Sequence, residues 1–296
     1  MKYLILGGSS FYGRSFIRLL ESKGEEVISL SRPEFDITKN YSLPEADVIF
    51  NFVAESLVAE SWEDPERWLH TNVICTNRLF EKVIKQHNKK PIQLFCHIST
   101  PEVFGSSSFW VKEKNAHKPT TPYAVSRSAA EMLLIAYWKA HKFPAIISRT
   151  ANIYGEGQQE FRLIPKAFRM LLNGEKFPIH GKGNSSRSFI HVSDACEALY
   201  ILSKKAGWGE AYHISTQKTY KVIEVVKMIC DLLGKTLKNS IEFHPERLGK
   251  DHMYLLNSDK MRNLNWTDKI TIEKGLTDYA HHAIERFASP RISIKA

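Results

Sequence analysis

Short continuous apolar runs alternate with apolar residues at helical spacing along the first part of the chain. The run at residues 3–6 ends in glycine, and apolar residues then recur at Phe16, Leu19 and Leu20. Strand, glycine turn and helix in this order predict an α/β fold built on a Rossmann-like, doubly wound parallel sheet. The same pattern predicts strands at 26–30, 46–53, 92–98 and 144–148, and helices at 13–22, 63–86, 123–141, 164–172, 193–204 and 220–233.

The turn between the first strand and the first helix has the position of a dinucleotide-binding loop. It runs from Gly7 to Gly13, and Ser10 takes the place of the middle glycine of a GxxGxxG loop. Gly7 permits the tight turn, Gly13 permits close packing of helix on sheet, and the N–H groups at the helix start suit a pyrophosphate. An ordinary glycine turn is the alternative, but the position after the first strand favours cofactor binding. The residues predicted to bind the cofactor here are Gly7, Ser10, Phe11, Tyr12 and Gly13.

The end of the second predicted strand bears on the choice between NAD and NADP. An NAD site commonly has an acidic residue there that bonds the ribose 2′-hydroxyl, whereas this chain has Ser31 and Arg32. A hydroxyl and a guanidinium suit a 2′-phosphate, so the sequence favours NADP over NAD. A solvated arginine that begins a loop at Pro33 is the alternative interpretation. Asp36 and Ile37 follow closely and are expected to flank the adenine ring.

The pattern changes near residue 155, where loops lengthen and polar turns occur. A length of 296 residues permits one large domain or two closely joined ones. We predict a dinucleotide-binding domain over residues 1–155 and a smaller C-terminal α/β lobe over residues 156–296 that mainly binds substrate.

Composition narrows the classes of partner and compartment. The chain has 41 Lys+Arg and 32 Asp+Glu, a formal net charge of +9, with 43% hydrophobic residues. These proportions exclude a disordered chain, and the basic residues are too scattered for nucleic-acid binding, so an anionic metabolite is the expected partner.

Four cysteines lack CxxC spacing and no histidine completes a zinc site, so no metal is predicted. The apolar start is too short for a signal peptide, and no segment reaches the roughly 20 apolar residues of a membrane span, which predicts a cytoplasmic protein without membrane attachment.

Three further segments carry a family resemblance. Residues 53–56 (VAES), 97–105 (HISTPEVFG) and 122–127 (PYAVSR) occur in the order and spacing of the extended short-chain dehydrogenase/reductases. Within them the chain resembles the nucleotide-sugar epimerases and dehydratases, and most closely the dTDP-glucose 4,6-dehydratases. The likeness continues through 149–155, 163–165, 183–192 and 246–251, so it covers nearly the whole chain.

The resemblance implies a tightly held nicotinamide cofactor and a nucleoside-diphosphate sugar bound in the C-terminal lobe. It implies that Tyr123 accepts the proton of the sugar C4 hydroxyl while C4 gives a hydride to the cofactor. The residue four positions on is a lysine in the family and Arg127 in this chain, a cation of different shape and hydration. The matching positions that the resemblance places at the cofactor are Val53, Ala54, Ser99, Tyr123 and Arg127.

A second departure from the family lies just after the fourth predicted strand. The dehydratases that the chain resembles have Thr-Asp-Glu there, whereas this chain has Thr100, Pro101 and Glu102. Proline carries no proton, so the resemblance leaves Glu102 to act as base at C5 and as acid toward the leaving C6 hydroxyl. A buried structural carboxylate is the alternative interpretation of Glu102. The predicted catalytic residues are Thr100, Glu102, Tyr123 and Arg127.

The remaining implied contacts are with the substrate and with a second subunit. Positions that match substrate-binding residues of the family are Glu55, Ser56, Thr100, Asn152, Leu163, Arg187 and Arg247. Members of the family commonly pair through two long helices, which implies a homodimer formed through residues 63–86 and 123–141.

The sequence leaves three functions open. The first is C4 oxidation followed by elimination across C5–C6, which is a 4,6-dehydratase reaction. The second is an NADPH-dependent keto-sugar reductase, a C4 oxidase or an epimerase on the same substrate class. The segment between Ser31 and Ala54 is shorter than in the dehydratases and resembles the shortened region of the NADPH-dependent keto-sugar reductases, which keeps this alternative open. The third is a non-catalytic nucleotide-binding protein that has lost the lysine and the acid. Retention of Glu102 favours the first, because a simple C4 epimerase needs no base at C5.

Overall fold

A parallel sheet of six strands forms the centre of the protein. The computed structural model describes residues 1–246 and 253–287. In chain order its strands are β1 (Lys2–Leu6), β2 (Glu26–Leu30), β3 (Val48–Asn51), β4 (Leu94–Ser99), β5 (Ala145–Thr150), β6 (Asn152–Tyr154), β7 (Phe177–His180), β8 (Ser186–Arg187), β9 (Phe189–His191), β10 (Ala211–Ile214), β11 (Tyr220–Lys221) and β12 (Ile241–His244). The central sheet has the order β10-β5-β4-β3-β1-β2 with every neighbouring pair parallel, so the predicted α/β fold class is confirmed.

Helices cover both faces of this sheet, and helices together with the two-stranded sheets β6-β9, β7-β12 and β8-β11 build the rest of the described structure. The helices are α1 (Phe11–Ser22), α2 (Pro65–Leu69), α3 (Thr76–Lys89), α4 (Pro122–His141), α5 (Leu163–Leu172), α6 (Val192–Lys205), α7 (Val222–Leu232), α8 (Leu237–Ser240), α9 (Asp259–Arg262) and α10 (Ile272–Phe287). A π-helical turn over His70–Cys75 joins α2 to α3, so the single helix predicted at 63–86 contains a local widening. Within the described part of the chain, none of the helices combines the length and apolar character that crossing a bilayer requires.

The short segment between β2 and β3 leaves β2 at the edge of the sheet. Residues 31–47 contain no strand, and β1 pairs with β2 on one side and with β3 on the other. The direction of chain progression reverses at this point between β1 and β3. In open α/β sheets, ligands bind at such a reversal, outside the carboxyl ends of the strands.

The alternation of side chains along β1 explains why both faces of the sheet are buried. Tyr3 and Ile5 point to one face, where they pack in a core that includes residues of α1 and α6. Leu4 and Leu6 point to the other face, where their core includes residues of α3 and α4. A strand buried on both faces reads as a continuous apolar run, which is the pattern at residues 3–6.

A further apolar core, separate from the two that cover the faces of the sheet, lies in the C-terminal half of the chain. Helices α5, α7 and α10 pack there around residues such as Phe168, Val226 and Leu276. The chain after residue 155 also returns to the central sheet, because β10 is an edge strand of that sheet and α6 packs on α1. The two lobes therefore interleave along the sequence, and the domain boundary at residue 155 stays a prediction.

Candidate active site

Two adjoining cavities lie at the carboxyl ends of the central strands. The inner cavity has a volume of about 290 Å³, and the sequence-predicted residues in its lining are Ser10, Phe11, Tyr12, Ser56, Ser99, Thr100, Glu102, Tyr123, Asn152 and Leu163. The outer cavity has a volume of about 530 Å³, and the predicted residues in its lining are Gly7, Ser10, Ser31, Arg32, Asp36, Ile37, Val53, Ala54 and Glu55. Both linings include Ser10 and Phe52. The two cavities thus form one groove across the reversal point of the sheet.

The glycine loop between β1 and α1 is closed by a serine. Gly7 has a φ of +80°, and a Cβ at that position would lie 3.1 Å from Val53 Cγ2. A Cβ at Gly13 would lie 2.7 Å from the Gly7 carbonyl oxygen, so both glycines are required by close approach. The Ser10 hydroxyl donates to that oxygen at 2.7 Å and accepts from Gly13 N at 3.1 Å. Ser10 is thereby the N-cap of α1, whose first-turn N–H groups are directed toward the groove as donors for an anion.

The outer cavity contains the residues expected at the adenosine end of a dinucleotide. Ser31 Oγ accepts a hydrogen bond from Ser9 N at 2.8 Å, which ties the end of β2 to the glycine loop. Arg32 is exposed and lies in the lining of the cavity. Hydrogen bonds from the hydroxyl and the backbone N–H of Thr38, at 2.7 and 3.0 Å, lower the pKa of Asp36. A guanidinium and a charged carboxylate therefore lie in the same cavity.

The predicted catalytic residues Thr100 and Glu102 lie where β4 ends. Residues 101–104 form a 3-10 turn, and Thr100 is its N-cap, with Oγ1 3.4 Å from Glu102 N. Both side chains belong to the lining of the inner cavity. The cap fixes the turn relative to the strand, so the position of Glu102 follows from the end of β4.

A buried ion pair lies against this turn. Arg149 of β5 donates through Nε and Nη2 to Glu131 of α4, with a shortest distance of 2.6 Å. The two side chains are 2% and 0% exposed. The Ser99 hydroxyl donates to the same carboxylate, and the Arg149 guanidinium lies 4.7 Å from the ring centroid of Phe104 at the end of the turn. The ion pair therefore connects the helix of the predicted base to the turn that carries the predicted C5 base.

Tyr123 lies in the first turn of α4 and is 8% exposed. Burial raises the pKa of its phenol, and the negative charge of Glu102 raises that pKa further. The positive charges of Arg127 and Arg162 and a hydrogen bond with Thr100 act in the opposite direction. The phenol is therefore protonated at neutral pH, and an additional positive charge nearby favours the phenolate.

Arg127 lies one helical turn after Tyr123 and is 2% exposed. Its Nη2 donates to the backbone oxygen of Ile98 and lies 3.2 Å from Nε2 of His97. Burial and the charge of Arg127 lower the pKa of His97, so the imidazole is neutral. Nε and Nη1 of Arg127 are buried and have no hydrogen-bond partner among the described residues. Ribose hydroxyls would satisfy two such donors, so the residues present fit a nicotinamide cofactor.

The predicted substrate-binding residues are distributed over several places. Ser56, Asn152 and Leu163 lie in the lining of the inner cavity. Glu55 lies in the lining of the outer cavity, where Arg67 Nη2 donates to its Oε1 at 2.8 Å. Glu55 is therefore on the cofactor side of the groove.

Arg187 on β8 belongs to neither cavity lining. Its guanidinium lies 4.4 Å from the ring centroid of Tyr254, and its Nη1 donates to the backbone oxygen of Ser186 at 2.8 Å. Arg247, the other predicted diphosphate ligand, lies outside the described residues.

The lining of the inner cavity also includes polar residues that are absent from the sequence predictions, among them Gln158, Gln159 and Arg162. Gln158 Nε2 donates to the backbone oxygen of Ile153 at 2.7 Å, which orients its amide. Arg162 directly precedes Leu163, so a cation beside a matched position was the signal available in the sequence. These residues add amide groups and a positive charge to the cavity.

The described residues contain no cluster of side chains suited to a metal ion. In residues 1–246 and 253–287, no group of three or more His, Cys, Asp or Glu side chains is placed to hold a metal ion. The four cysteines, Cys75, Cys96, Cys196 and Cys230, are buried and free. Burial raises the pKa of the Cys96 thiol well above its usual range, so this side chain behaves as a small apolar residue.

The sequence of this chain is similar to those of known nucleotide-sugar enzymes. The family model described as GDP-mannose 4,6 dehydratase matches residues 34–279. The low-salt glycan biosynthesis protein Agl12 of Haloferax volcanii is 30% identical over 303 residues, which cover 93% of this chain and 96% of that protein. A trifunctional UDP-glucose 4,6-dehydratase/UDP-4-keto-6-deoxy-D-glucose 3,5-epimerase/UDP-4-keto-L-rhamnose-reductase of Arabidopsis thaliana is 32% identical over 265 residues, or 84% of this chain. The chain spans 39% of the length of that plant protein.

Solved structures agree over almost the full length of the chain. The dTDP-glucose 4,6-dehydratase DesIV of Streptomyces venezuelae, determined with NAD bound, has a TM-score of 0.87 and 26% identity over 97% of both chains. The dTDP-glucose 4,6-dehydratase of Bacillus anthracis, in complex with NAD, has a TM-score of 0.83 and 28% identity over 97% of both chains. The family resemblance inferred from the motifs is thus confirmed. The chain belongs to the GDP-mannose 4,6-dehydratase family, among the nucleotide-sugar dehydratases and epimerases of the extended short-chain dehydrogenase/reductases.

Proposed function

We propose that the protein is an NAD(P)-dependent enzyme that oxidises a nucleoside-diphosphate sugar at C4 and then eliminates water across C5 and C6. One observation carries this proposal: Thr100, Glu102 and Tyr123 line a single cavity that adjoins the dinucleotide loop. A tyrosine beside a nicotinamide site suits oxidation at C4, and a carboxylate in the same cavity adds a base for C5. The related dTDP-glucose 4,6-dehydratases support the same class of reaction.

The proposed reaction is redox-neutral. The phenolate of Tyr123 accepts the C4 hydroxyl proton as the C4 hydride leaves, and the resulting ketone acidifies the C5 proton. Glu102 takes that proton and gives it to the C6 hydroxyl, which leaves as water. A bound nicotinamide supplies the acceptor for the C4 hydride and its return to C6. C5 gains one proton when the hydride returns to C6, and this balances the proton that Tyr123 took from the C4 hydroxyl. The net change is therefore the loss of one water molecule.

The two departures from the family pattern define what this chain does differently. Pro101 has no proton to donate, so Glu102 has both the basic and the acidic role. Arg127 is proposed to hold the nicotinamide ribose through Nε and Nη1, which are the two buried donors without a partner among the described residues. Its charge also lowers the pKa of Tyr123 against the effect of burial.

NADP(H) is the proposed cofactor, because Arg32 lies in the outer cavity beside the end of β2. The two solved dehydratases named above bind NAD. Asp36 lies in the same cavity and could accept a hydrogen bond from a 2′-hydroxyl, so NAD is the alternative. The test is to measure the Kd of NADPH and of NADH for wild type and Arg32→Ala. A bidentate arginine–phosphate contact predicts that only NADPH binding weakens, by about tenfold or more. An equal loss for both cofactors would refute the assignment.

The experiment that tests the reaction is a panel of nucleotide sugars incubated with the purified protein and cofactor. UDP-, dTDP- and GDP-hexoses are analysed by mass spectrometry, and the absorbance of reduced cofactor is followed at the same time. The proposal expects one member to lose one water molecule without net formation of reduced cofactor. An unchanged panel would refute the proposed dehydration.

A reductase, oxidase or epimerase on the same substrate class is the second candidate. The observations that favour it are the absence of a strand in residues 31–47 and the proline in place of the acid. A reductase would consume NADPH with a 4-keto sugar, and an oxidase would accumulate reduced cofactor. An epimerase would change the sugar without changing its mass, so the same panel with chromatographic separation distinguishes all three.

We further propose that two copies of the chain pair through the helical segment of α2 and α3 and through α4. Large apolar side chains on these helices are exposed, with Leu69 at 42%, Ile74 at 49%, Val125 at 44% and Met132 at 57%. Such surfaces on neighbouring elements are usually covered by a partner. Analytical ultracentrifugation should show a dimer for wild type and for the control Phe243→Glu, and a monomer for Met132→Glu. A monomeric wild type would contradict the pairing.

A further inference from the structure

Arg14, an exposed residue of α1, connects the two sides of the groove. Its Nη1 donates to the backbone oxygen of Ser9 at 2.8 Å, and its Nη2 donates to the backbone oxygen of Gly157 at 3.2 Å. Ser9 lies in the lining of the outer cavity, whereas Gly157 belongs to the loop at residues 155–162 between β6 and α5. We propose that Arg14 is a positioning residue that couples binding of the dinucleotide to binding of the nucleoside-diphosphate sugar.

The 155–162 loop supplies polar groups to the inner cavity. Gln158, Gln159 and Arg162 lie in that lining, and Gln158 directly follows Gly157. At the other end of the loop, Arg286 of α10 forms an ion pair with Glu160 at 2.8 Å. The bond from Arg14 therefore adds an anchor from the cofactor side to a loop that is also held from the C-terminal helix.

On the cofactor side, Ser9 belongs to the glycine loop that is predicted to bind the dinucleotide, and it lies in the lining of the outer cavity. Its N–H donates to Ser31 Oγ, and the next residue, Ser10, is the N-cap of α1. An anion held by the first-turn N–H groups of α1 fixes this loop in one conformation, and with it the carbonyl that Arg14 contacts. The donors of a planar guanidinium have fixed relative positions. The bond of Nη1 to the Ser9 oxygen therefore determines where Nη2 lies, and with it the contact with the Gly157 oxygen.

The two ligands must affect each other's affinity equally. If the bound dinucleotide tightens binding of the nucleoside diphosphate by some factor, the bound nucleoside diphosphate tightens binding of the dinucleotide by the same factor. Both bonds of Arg14 are at an exposed position. We therefore expect a factor near the lower end of the usual range, about five- to tenfold. The inference rests on the proposed function, since it requires a nucleoside diphosphate in the inner cavity.

The test compares the affinity of UDP, dTDP and GDP for the cofactor-free and the NADH-saturated protein by calorimetry. NADH is a suitable probe because NADH and NADPH have the same pyrophosphate, which is the group that the glycine loop is proposed to hold. In wild type, a nucleotide that binds should bind about five- to tenfold more tightly when NADH is present. Arg14→Met should reduce this ratio to about 1, and Arg14→Lys should give an intermediate ratio because an ammonium cannot bridge both carbonyls with the same geometry. Arg18→Met is the matched control, one turn further along α1 and outside both cavity linings, and it should keep the wild-type ratio.

Steady-state kinetics give a second readout that a general loss of structure would not produce. Arg14→Met should raise KM for the nucleotide sugar while kcat at saturation is retained, because Arg14 does not touch the reacting atoms. A wild-type ratio of 1, or an Arg14→Met ratio equal to that of wild type, would overturn the coupling and leave the proposed function intact. Failure of all three nucleotides to bind the NADH-saturated wild type would instead refute the substrate class, and the coupling with it.

Discussion

Replacement of Arg127 by methionine separates the cost of a buried guanidinium from its use in binding the cofactor. In the wild-type protein, Nε and Nη1 are buried without a partner among the described residues. Each such donor costs about 1–3 kcal/mol, so the substitution removes a destabilisation of about 2–6 kcal/mol. It also leaves the Ile98 carbonyl and the His97 imidazole without the donor they share, at a similar cost per acceptor. Methionine fills a comparable length without charge.

These contributions oppose each other, so we expect the free energy of unfolding of the cofactor-free Arg127→Met protein to lie within about 2 kcal/mol of wild type. Breaking a fully satisfied buried ion pair would instead cost about 3–5 kcal/mol. The loss should show in cofactor binding. The variant loses two hydrogen bonds from a charged donor to ribose hydroxyls. Because water hydrogen-bonds the same groups in the unbound state, the net loss corresponds to an NADH affinity about 10- to 100-fold lower than that of wild type.

The assay is urea unfolding of wild type and variant, each with and without NADH, together with fluorescence titration of NADH. NADH serves as the probe because its nicotinamide ribose, which Arg127 is proposed to hold, is the same as that of NADPH. Wild type should gain about 2.7 kcal/mol at 100 times its Kd, whereas the variant at the same NADH concentration should gain much less. Arg127→Lys is the matched control, because it keeps a cation at the position and should retain most of the binding. The reasoning is refuted if Arg127→Met loses more than about 3 kcal/mol without cofactor, or if it binds NADH as tightly as wild type.

Three further predictions concern the chemistry and the support of the site. Glu102→Gln should retain C4 oxidation and lose elimination, so reduced cofactor should accumulate with substrate, and formation of a dehydrated product would contradict its role at C5. In that variant the rate of cofactor reduction should rise with pH from about 7 to 10, because burial raises the pKa of Tyr123 and only its phenolate accepts the proton; a flat or falling profile would count against Tyr123. Arg149→Met should lower the free energy of unfolding by about 3–5 kcal/mol, since it leaves the buried carboxylate of Glu131 without its arginine partner, and urea unfolding that gave a loss below about 1 kcal/mol would contradict this.

Local patterns predicted the parts of the fold that depend on nearby residues. The strand at 26–30 matches β2, and the glycine loop lies where it was expected, because apolar runs and glycines act within a few positions. The pattern could not show that β10 joins the central sheet from beyond residue 155, since that pairing depends on contacts with β5 far away in sequence. It also gave no sign of the π-helical turn at 70–75, which has the same apolar content as a regular helix.

The same division holds for the site. Thr100, Glu102 and Tyr123, which the motifs single out, line one cavity, and their catalytic roles stay predictions. The direction of the Arg127 guanidinium was beyond the sequence, because it depends on His97 and the carbonyl of Ile98 on another element. Motif spacing therefore predicted part of the inner cavity but not the positions of Arg187, which belongs to neither lining, and of Glu55, which lines the outer cavity. Hydrogen bonding across elements decides how the polar groups point.

The absence of a strand between residues 31 and 47 has a consequence for the behaviour of the protein at high concentration. It leaves β2 at the edge of the central sheet, with β1 as its neighbour on one side. The outer backbone groups of an edge strand are a template for another chain, and a short strand with a charged end limits such association. β2 has five residues and begins with the exposed Glu26, which supplies both features. Removal of the Glu26 charge is therefore expected to lower the solubility of the protein at high concentration, while the groove is unchanged.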